Sequence, residues 1–133
     1  MDESDLSATH VAEQLGEDVD AVFKTIVLEG DKTKHFVCVV PGACEGDLKK
    51  AARASGNKSC KPIPQKELLP LTGYIRGGCS PVGMRKHYPT FLDETCELWV
   101  EIAVSAGERG HQVLLPPLAL ADLVNASLAD IIK

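Results

Sequence analysis

The chain has 133 residues, a formal net charge of −5 and a charged fraction of 25%. That length suits one domain with a real core, and with aromatics at 5% the interior is expected to be Val, Leu, Ile and Ala. No apolar run approaches the ~20 residues of a membrane span, and the acidic start Met1-Asp2-Glu3-Ser4-Asp5 is the opposite of a secretory signal, so a soluble, cytoplasmic protein is expected.

The predicted elements begin with a short helix over Ser7–Leu15, capped by Ser7 and stopped by Gly16. Asp18 or Asp20 caps a further turn leading into Phe23. Lys24–Leu28 alternates as a strand, with Lys24, Ile26 and Leu28 on one side and Thr25 and Val27 on the other. Gly30-Asp31-Lys32 is a turn, and His35–Val40 is a second strand that completes a hairpin. Asp47 caps a helix through Ala54 that ends at Gly56. Ser59–Ile63 reads as a short strand and Pro64–Leu69 as a short helix opened by proline. A glycine-rich loop follows, then the strand-like Thr90-Phe91-Leu92-Asp93, with Asp93 and Glu94 read as turn residues. Leu98–Val104 has the strongest strand pattern in the chain. Ser105-Ala106-Gly107-Glu108-Arg109-Gly110 is a second glycine loop, Val113–Leu115 a short strand, and Pro116-Pro117 opens a last helix, Leu118–Val124. Short strands mixed with short helices, without a regular β-α-β rhythm, predict one α+β domain.

Charge is unevenly spread. Residues 1–31 hold nine acids and one base, Lys24, whereas residues 48–87 hold nine bases and one acid, Glu67. That segment is either a solvated helix face or a local positive field for a polyanion. The cysteines Cys38, Cys44, Cys60, Cys79 and Cys96 are odd in number and form no C-x-x-C pair, so neither a disulfide scaffold nor a zinc site is indicated. The scattered His10, His35, His87 and His111 suggest no metal, and no cofactor is expected.

The chemistry concentrates in two places. Residues 73–83 hold four glycines and Pro81, giving either a structural turn or a loop whose backbone N–H groups meet an acyl or phosphate oxygen. Lys24, flanked by Phe23 and Ile26, either snorkels from the sheet or sits in a cleft against a negative group. Ser80 and Ser105 lie in the glycine loops without the Ser-His-Asp order of a nucleophile. Cys79, eight residues from His87, is the single cysteine with a nucleophilic alternative to simple packing, that of a thiol-transfer enzyme.

Val22-Phe23-Lys24-Thr25, Thr72-Gly73-Tyr74, Gly77-Gly78-Cys79-Ser80-Pro81-Val82-Gly83 and Ser105-Ala106-Gly107-Glu108-Arg109-Gly110 occur in an order and spacing that resembles the YbaK/EbsC family across residues 7 to 131. Its best-known members are Cys-tRNA(Pro) deacylases, and its fold recurs as the editing insertion of prolyl-tRNA synthetases. The resemblance implies a mixed, largely antiparallel, barrel-like sheet with short surrounding helices, forming one editing domain over residues 1–133. It implies a trans-editing deacylase that clears mischarged tRNA, Cys-tRNA(Pro) first and Ala-tRNA(Pro) or another small amino acid second. The alternative is a silent relative that binds tRNA or a synthetase.

On that resemblance the catalytic group is Lys24 with Gly77, Gly78 and Pro81 of the Gly-x-x-x-Pro loop. Phe23, Ser80, Ser105, Gly107 and Gln112 would bind substrate, and Arg76, Arg85 and Lys86 would face the tRNA. Partners would be aminoacyl-tRNA and a prolyl-tRNA synthetase, and the protein a monomer or homodimer away from membranes. In cysteine-specific members the substrate's own thiol attacks its carbonyl. Three departures from the family pattern stand out: the usual N-terminal strand is expected to be missing, truncated or supplied otherwise, Gln112 stands at the position of an aspartate, and Cys79 stands where an apolar residue is common.

Overall fold

A computed structural model describes residues 21–74, 79–84, 87–107 and 111–133. The predicted helix at Ser7–Leu15 and its neighbour at Asp18 or Asp20 fall outside them.

Strands β1 (Phe23–Gly30) and β2 (Lys34–Pro41) form the expected antiparallel hairpin, with Lys24 opposite Val40 and Val27 opposite Val37. Its turn is tied down by Asn57, whose Oδ1 accepts from Lys32 N at 2.8 Å and Thr33 N at 3.0 Å. The first described helix, α1 (Leu48–Ser55), is capped as predicted: Asp47 accepts from Lys49 N and Lys50 N, and Gly56 ends it. Strand β3 (Cys60–Pro62) pairs antiparallel with the far end of β1. Helix α2 (Gln65–Thr72) starts after Pro64 and outruns its predicted end at Leu69. Pro70 does not stop it, because Gly73 N still bonds to Leu69 O at 2.8 Å and Thr72 Oγ1 to Leu68 O at 2.7 Å.

Strand β4 (Thr90–Asp93) runs parallel to β2, and β7 (Ser127–Ala129), which the sequence pattern did not announce, runs parallel to β4. The five-stranded sheet has the order β3-β1-β2-β4-β7. It is mixed, as expected, but open rather than closed into a barrel. Strands β5 (Ile102–Ser105) and β6 (Gln112–Leu115) form a separate antiparallel hairpin, joined to β1 by a parallel bridge between Val22 and Ala103. Helix α3 (Pro117–Val124) follows, opened by proline.

The predicted strand over Leu98–Val104 is wrong in its first half. Glu94–Leu98 is a 3-10 turn, and only Ile102–Ser105 is strand. Cys96, fully buried, anchors the turn, while Leu98 (78% exposed) and Val100 (88%) project outward. Asp93 is likewise no surface turn residue. It is fully buried, and its carboxylate accepts from Thr95 N at 3.1 Å, Thr95 Oγ1 at 2.5 Å and Ile131 N at 3.0 Å. An acid looks like a turn residue in a sequence, yet here it fastens the C-terminal segment to the sheet.

Strand alternation divides the core between two faces. Phe23, Val27, Val37, Val39 and Leu92 pack with Cys79, Tyr88, Ile102, Val104 and Leu120 on one side. Leu28, Phe36, Cys38 and Val40 pack with Ala51 and Ile131 on the other.

Candidate functional site

Tyr74 is the hub of the two glycine loops. Gly73 takes φ +86°, ending α2, and turns the chain so that Tyr74 reaches over the first loop. Its Oη donates to Val82 O at 2.5 Å. A Cβ on Gly83 (φ +72°) would lie 3.1 Å from Tyr74 Oη, and one on Gly107 (φ +103°) would lie 3.0 Å from Tyr74 Cε1. The phenol ring therefore sits against glycines of both loops, where any side chain would crowd it.

Each loop also has its own internal tie. Ser80 Oγ accepts from Val82 N at 3.1 Å, and Ser105 Oγ accepts from Gly107 N at 3.2 Å. Both serines are buried. Such side-chain-to-backbone turns fix loop shape locally. Ala106 N bonds to His111 O at 3.0 Å and closes the base of the second loop.

Lys24 is half-buried on β1. It lines a cleft of about 240 Å³ with Ile26, Leu28, Val40, Asp47 and Ile131 among others. Phe23, next to it, points into the opposite face, which also holds Cys79 and, packed against it, Tyr74 and Val82. The structure thus places Lys24 and the first loop on different faces of β1, and among the described residues the cleft contains none of that loop.

The second loop spans the two faces. A single parallel bridge joins Val22 to Ala103, each two residues before Lys24 and Ser105 in its own strand. Ser105 is in turn paired with Gln112 across the β5–β6 hairpin. Ser105 and Gln112 thus face each other across β5 and β6, while Gly107, two residues on from Ser105, lies against the ring of Tyr74. Of the residues singled out from the sequence, this arrangement brings together Ser105, Gly107 and Gln112, with Lys24 two residues along from the bridge that ties β1 to β5. Ser80 and Pro81 join through Tyr74 and Val82. Gly77, Gly78, Arg76, Arg85 and Lys86 lie outside the described residues.

The edge of β1 next to that bridge is open. Val22 bridges to β5 at one end, and β3 pairs along Leu28–Gly30 at the other, its last bond running from Ile63 N to Val27 O at 3.3 Å. Because alternate residues present their backbone to the same edge, Thr25 presents its N–H and C=O there with Val27. No described strand pairs with it. Thr25 Oγ1 is also buried without a partner. Sequence reasoning missed Thr25; the signal was a hydroxyl inside an apolar strand.

Burial pushes the Cys79 thiol up to about 11, with Thr72 offsetting this in part through a hydrogen bond. A thiol so shifted is protonated at neutral pH and packs as a small apolar group. Among the described residues, no base is shown bonded to it that would support the thiol-transfer alternative. Within the basic segment, Lys50 is engaged by Asp130 at 3.0 Å and by Ile132 O at 2.8 Å. Among the described residues, no helix is long and apolar enough to cross a membrane, and no group of acidic, histidine and cysteine side chains could hold a metal.

Comparison with known proteins gives concordant findings. Residues 3–123 match the family model described as "Aminoacyl-tRNA editing domain". A protein of Enterococcus faecalis (strain ATCC 700802 / V583), named "Putative Cys-tRNA(Pro)/Cys-tRNA(Cys) deacylase EbsC", is 50% identical over 129 residues, 97% of this chain and 79% of that protein. A "Proline--tRNA ligase" of Shouchella clausii (strain KSM-K16) is 30% identical over 100 residues, 75% of this chain but only 17% of the ligase. A solved structure titled "Crystal structure of a putative trans-editing enzyme for prolyl tRNA synthetase" superposes with a TM-score of 0.89 at 28% identity, covering 100% of this chain and 83% of that one.

Proposed function

The chain belongs to the aminoacyl-tRNA editing domain family, and from that premise we propose that it is a trans-acting deacylase that clears mischarged tRNA, with Cys-tRNA(Pro) its first substrate. The observation that carries this reading is the Tyr74 clamp. It holds two glycine loops together beside the Ser105–Gln112 pair, on the β5 strand that bridges to β1 next to Lys24. Backbone N–H groups of glycine loops suit a developing oxyanion, and the Lys24 ammonium suits a phosphate or a polarised carbonyl beside it.

In this reading the enzyme supplies no nucleophile. The cysteinyl sulfur loses its proton and attacks its own ester carbonyl, forming a carbon–sulfur bond. The tetrahedral intermediate collapses by breaking the bond to the ribose 3′-oxygen, which takes up a proton. The products are a cyclic thioester and uncharged tRNA. An intramolecular thiol has a large effective concentration, so binding, orientation and oxyanion stabilisation suffice. The neutral, buried Cys79 and the serines committed to loop turns agree with that division of labour. The basic residues Arg76, within the first loop, and Arg85 and Lys86, just after it in sequence, would meet the acceptor stem, with salt-sensitive affinity.

The test is single-turnover deacylation of Cys-tRNA(Pro) and Ala-tRNA(Pro) by wild type and Lys24→Ala. Rapid loss of Cys-tRNA(Pro), reduced at least ~100-fold in the variant, is the expected outcome. Activity on Ala-tRNA(Pro) alone would move the substrate to alanine. No activity on either, with tRNA binding intact, would make the protein a binding relative.

A further inference from the structure

The outer side of α1 is cationic. Lys49, Lys50 and Arg53 fall within about 100° of arc on the helix, and the buried Ala51 and Ala52 lie away from them. The inner side, through Leu48 and Ala51, walls the cleft of about 240 Å³ that holds Lys24. The run of cations continues past the end of the helix. Asn57 Oδ1 accepts from Lys32 N at 2.8 Å, and Asp31 Oδ1 accepts from Lys58 N at 2.8 Å. These bonds hold the hairpin turn, with Lys32, against Lys58 just beyond Gly56. Lys32, Lys49, Arg53 and Lys58 are all exposed.

Two observations set this surface apart from an ordinary solvated face. The first turn of α1 carries Lys49 and Lys50 and no acid, although the positive end of the helix dipole favours the reverse. The placement of charge works against the helix that bears it. The acids nearby are also already engaged. Asp47 accepts from Lys49 N and Lys50 N, Asp31 from Lys58 N and Ser59 N, Asp130 from Lys50 Nζ, and Glu45 pairs with Lys133 at 3.3 Å. Among the described residues, Lys32, Lys49, Arg53 and Lys58 are left without an ion pair. An open recess of about 250 Å³ lies between Lys50, Arg53, Ala54 and Asp130, whose carboxylate is held by Lys50.

We propose that this face, from Lys49 through Arg53 to Lys58 and Lys32, takes the phosphate backbone of tRNA while the acylated end lies at the other side of α1, toward Lys24. The identity of the RNA rests on the deacylase reading above. Lys49 and Arg53 stand one turn apart, with about 5–6 Å between their Cβ atoms, so they meet successive negative charges along a strand. Phosphate contacts release counterions and carry no sequence information. This face therefore sets affinity for tRNA in general and leaves the choice of amino acid to the glycine loops.

The experiment measures binding of uncharged tRNA(Pro) from 50 to 200 mM salt, by wild type, Lys49→Gln/Arg53→Gln and Lys66→Gln. Lys66 is an exposed cation of α2, whose Leu68 packs against the other face of the sheet. The double variant should bind about 10-fold or more weakly at 100 mM salt, and its log–log salt slope should be shallower by about 2, one unit per lost phosphate contact. Lys66→Gln should change neither by as much as 2-fold. Melting temperature checks that lost binding is not lost folding, and it should not fall in the double variant, since Lys49 opposes the helix dipole. An unchanged Kd and slope in the double variant, or an equal loss in Lys66→Gln, would overturn the assignment. Single-turnover cleavage of Cys-tRNA(Pro) separates this from the deacylase reading. If the double variant loses tRNA affinity as expected while wild type cleaves nothing, the RNA face stands and the deacylase reading fails. If wild type cleaves Cys-tRNA(Pro) and the double variant binds and cleaves it as well at every salt concentration, the RNA face fails and the deacylase reading stands.

Discussion

Replacing Tyr74 by Phe tests whether the two loops work as one part. The substitution removes the bond from Oη to Val82 O, which is 2.5 Å long, and leaves the ring edge against Gly107. Losing one hydrogen bond costs about 1 kcal/mol net, because water re-solvates part of the freed carbonyl. For a chain of this size that lowers the melting temperature by about 3–5 °C. The effect on rate should be larger than the effect on stability. With its tether gone, the first loop moves relative to the second, and a misplacement of about 1 Å at a reacting centre can cost ~100-fold. Paired measurements settle it: thermal melting, and single-turnover cleavage of Cys-tRNA(Pro) at 25 °C with enzyme in excess. A variant that melts a few degrees lower yet cleaves at the wild-type rate would refute the reasoning, leaving the bond a role in folding alone.

Two glycine substitutions separate crowding from backbone strain. Gly107→Ala and Gly56→Ala both force a positive φ on alanine, at about 1–2 kcal/mol each, but a Cβ on Gly56 meets nothing within 4 Å whereas one on Gly107 meets Tyr74 at 3.0 Å. Both should lower the urea midpoint, and only Gly107→Ala should also slow deacylation by 10-fold or more. Asp93→Ala strands three donors, Thr95 N, Thr95 Oγ1 and Ile131 N, and should cost about 3 kcal/mol in urea unfolding; a loss under 1 kcal/mol would mean Asp93 is not the fastener. Burial holds the Cys38 thiol at about 12 and Cys79 at about 11, above the ordinary value of 9.0. The folded state thus keeps protons that the unfolded chain releases, so these thiols' contribution is complete below pH 9 and is lost as pH rises from 9 toward 11 to 12. The urea midpoint should fall across that window, less steeply in Cys38→Ala than in wild type.

Local signals predicted local structure well. Asp47 and Gly56 bracket α1, Pro64 and Pro117 open helices, and the alternation from Lys24 to Leu28 survives intact, because each depends on neighbours in the chain. Signals that depend on distant partners failed. Leu98-Trp99-Val100 has strand composition, but no strand among the described residues pairs with it, and the buried Cys96 with the Asp93 cap turns the chain instead. The strand at Ser127–Ala129 forms because β4 offers a free edge, which three residues cannot announce. The candidate site divides in the same way. Residue types marked Lys24, Ser80 and Ser105, and a family pattern marked Gly107 and Gln112. The pairing of Ser105 with Gln112 needed the β5–β6 register, and the part played by Tyr74 needed the geometry of two loops more than twenty residues apart.

That geometry has a practical side for anyone redesigning substrate choice. A shared tyrosine makes the two loops mechanically dependent, although each looks like an independent module when aligned. Transplanting one loop from a relative would set foreign backbone against a ring shaped for the original, and most such chimaeras would lose activity without revealing anything about selectivity. The sensible unit of exchange is residues 72–84 together with 105–112, moved as a pair with Tyr74 between them.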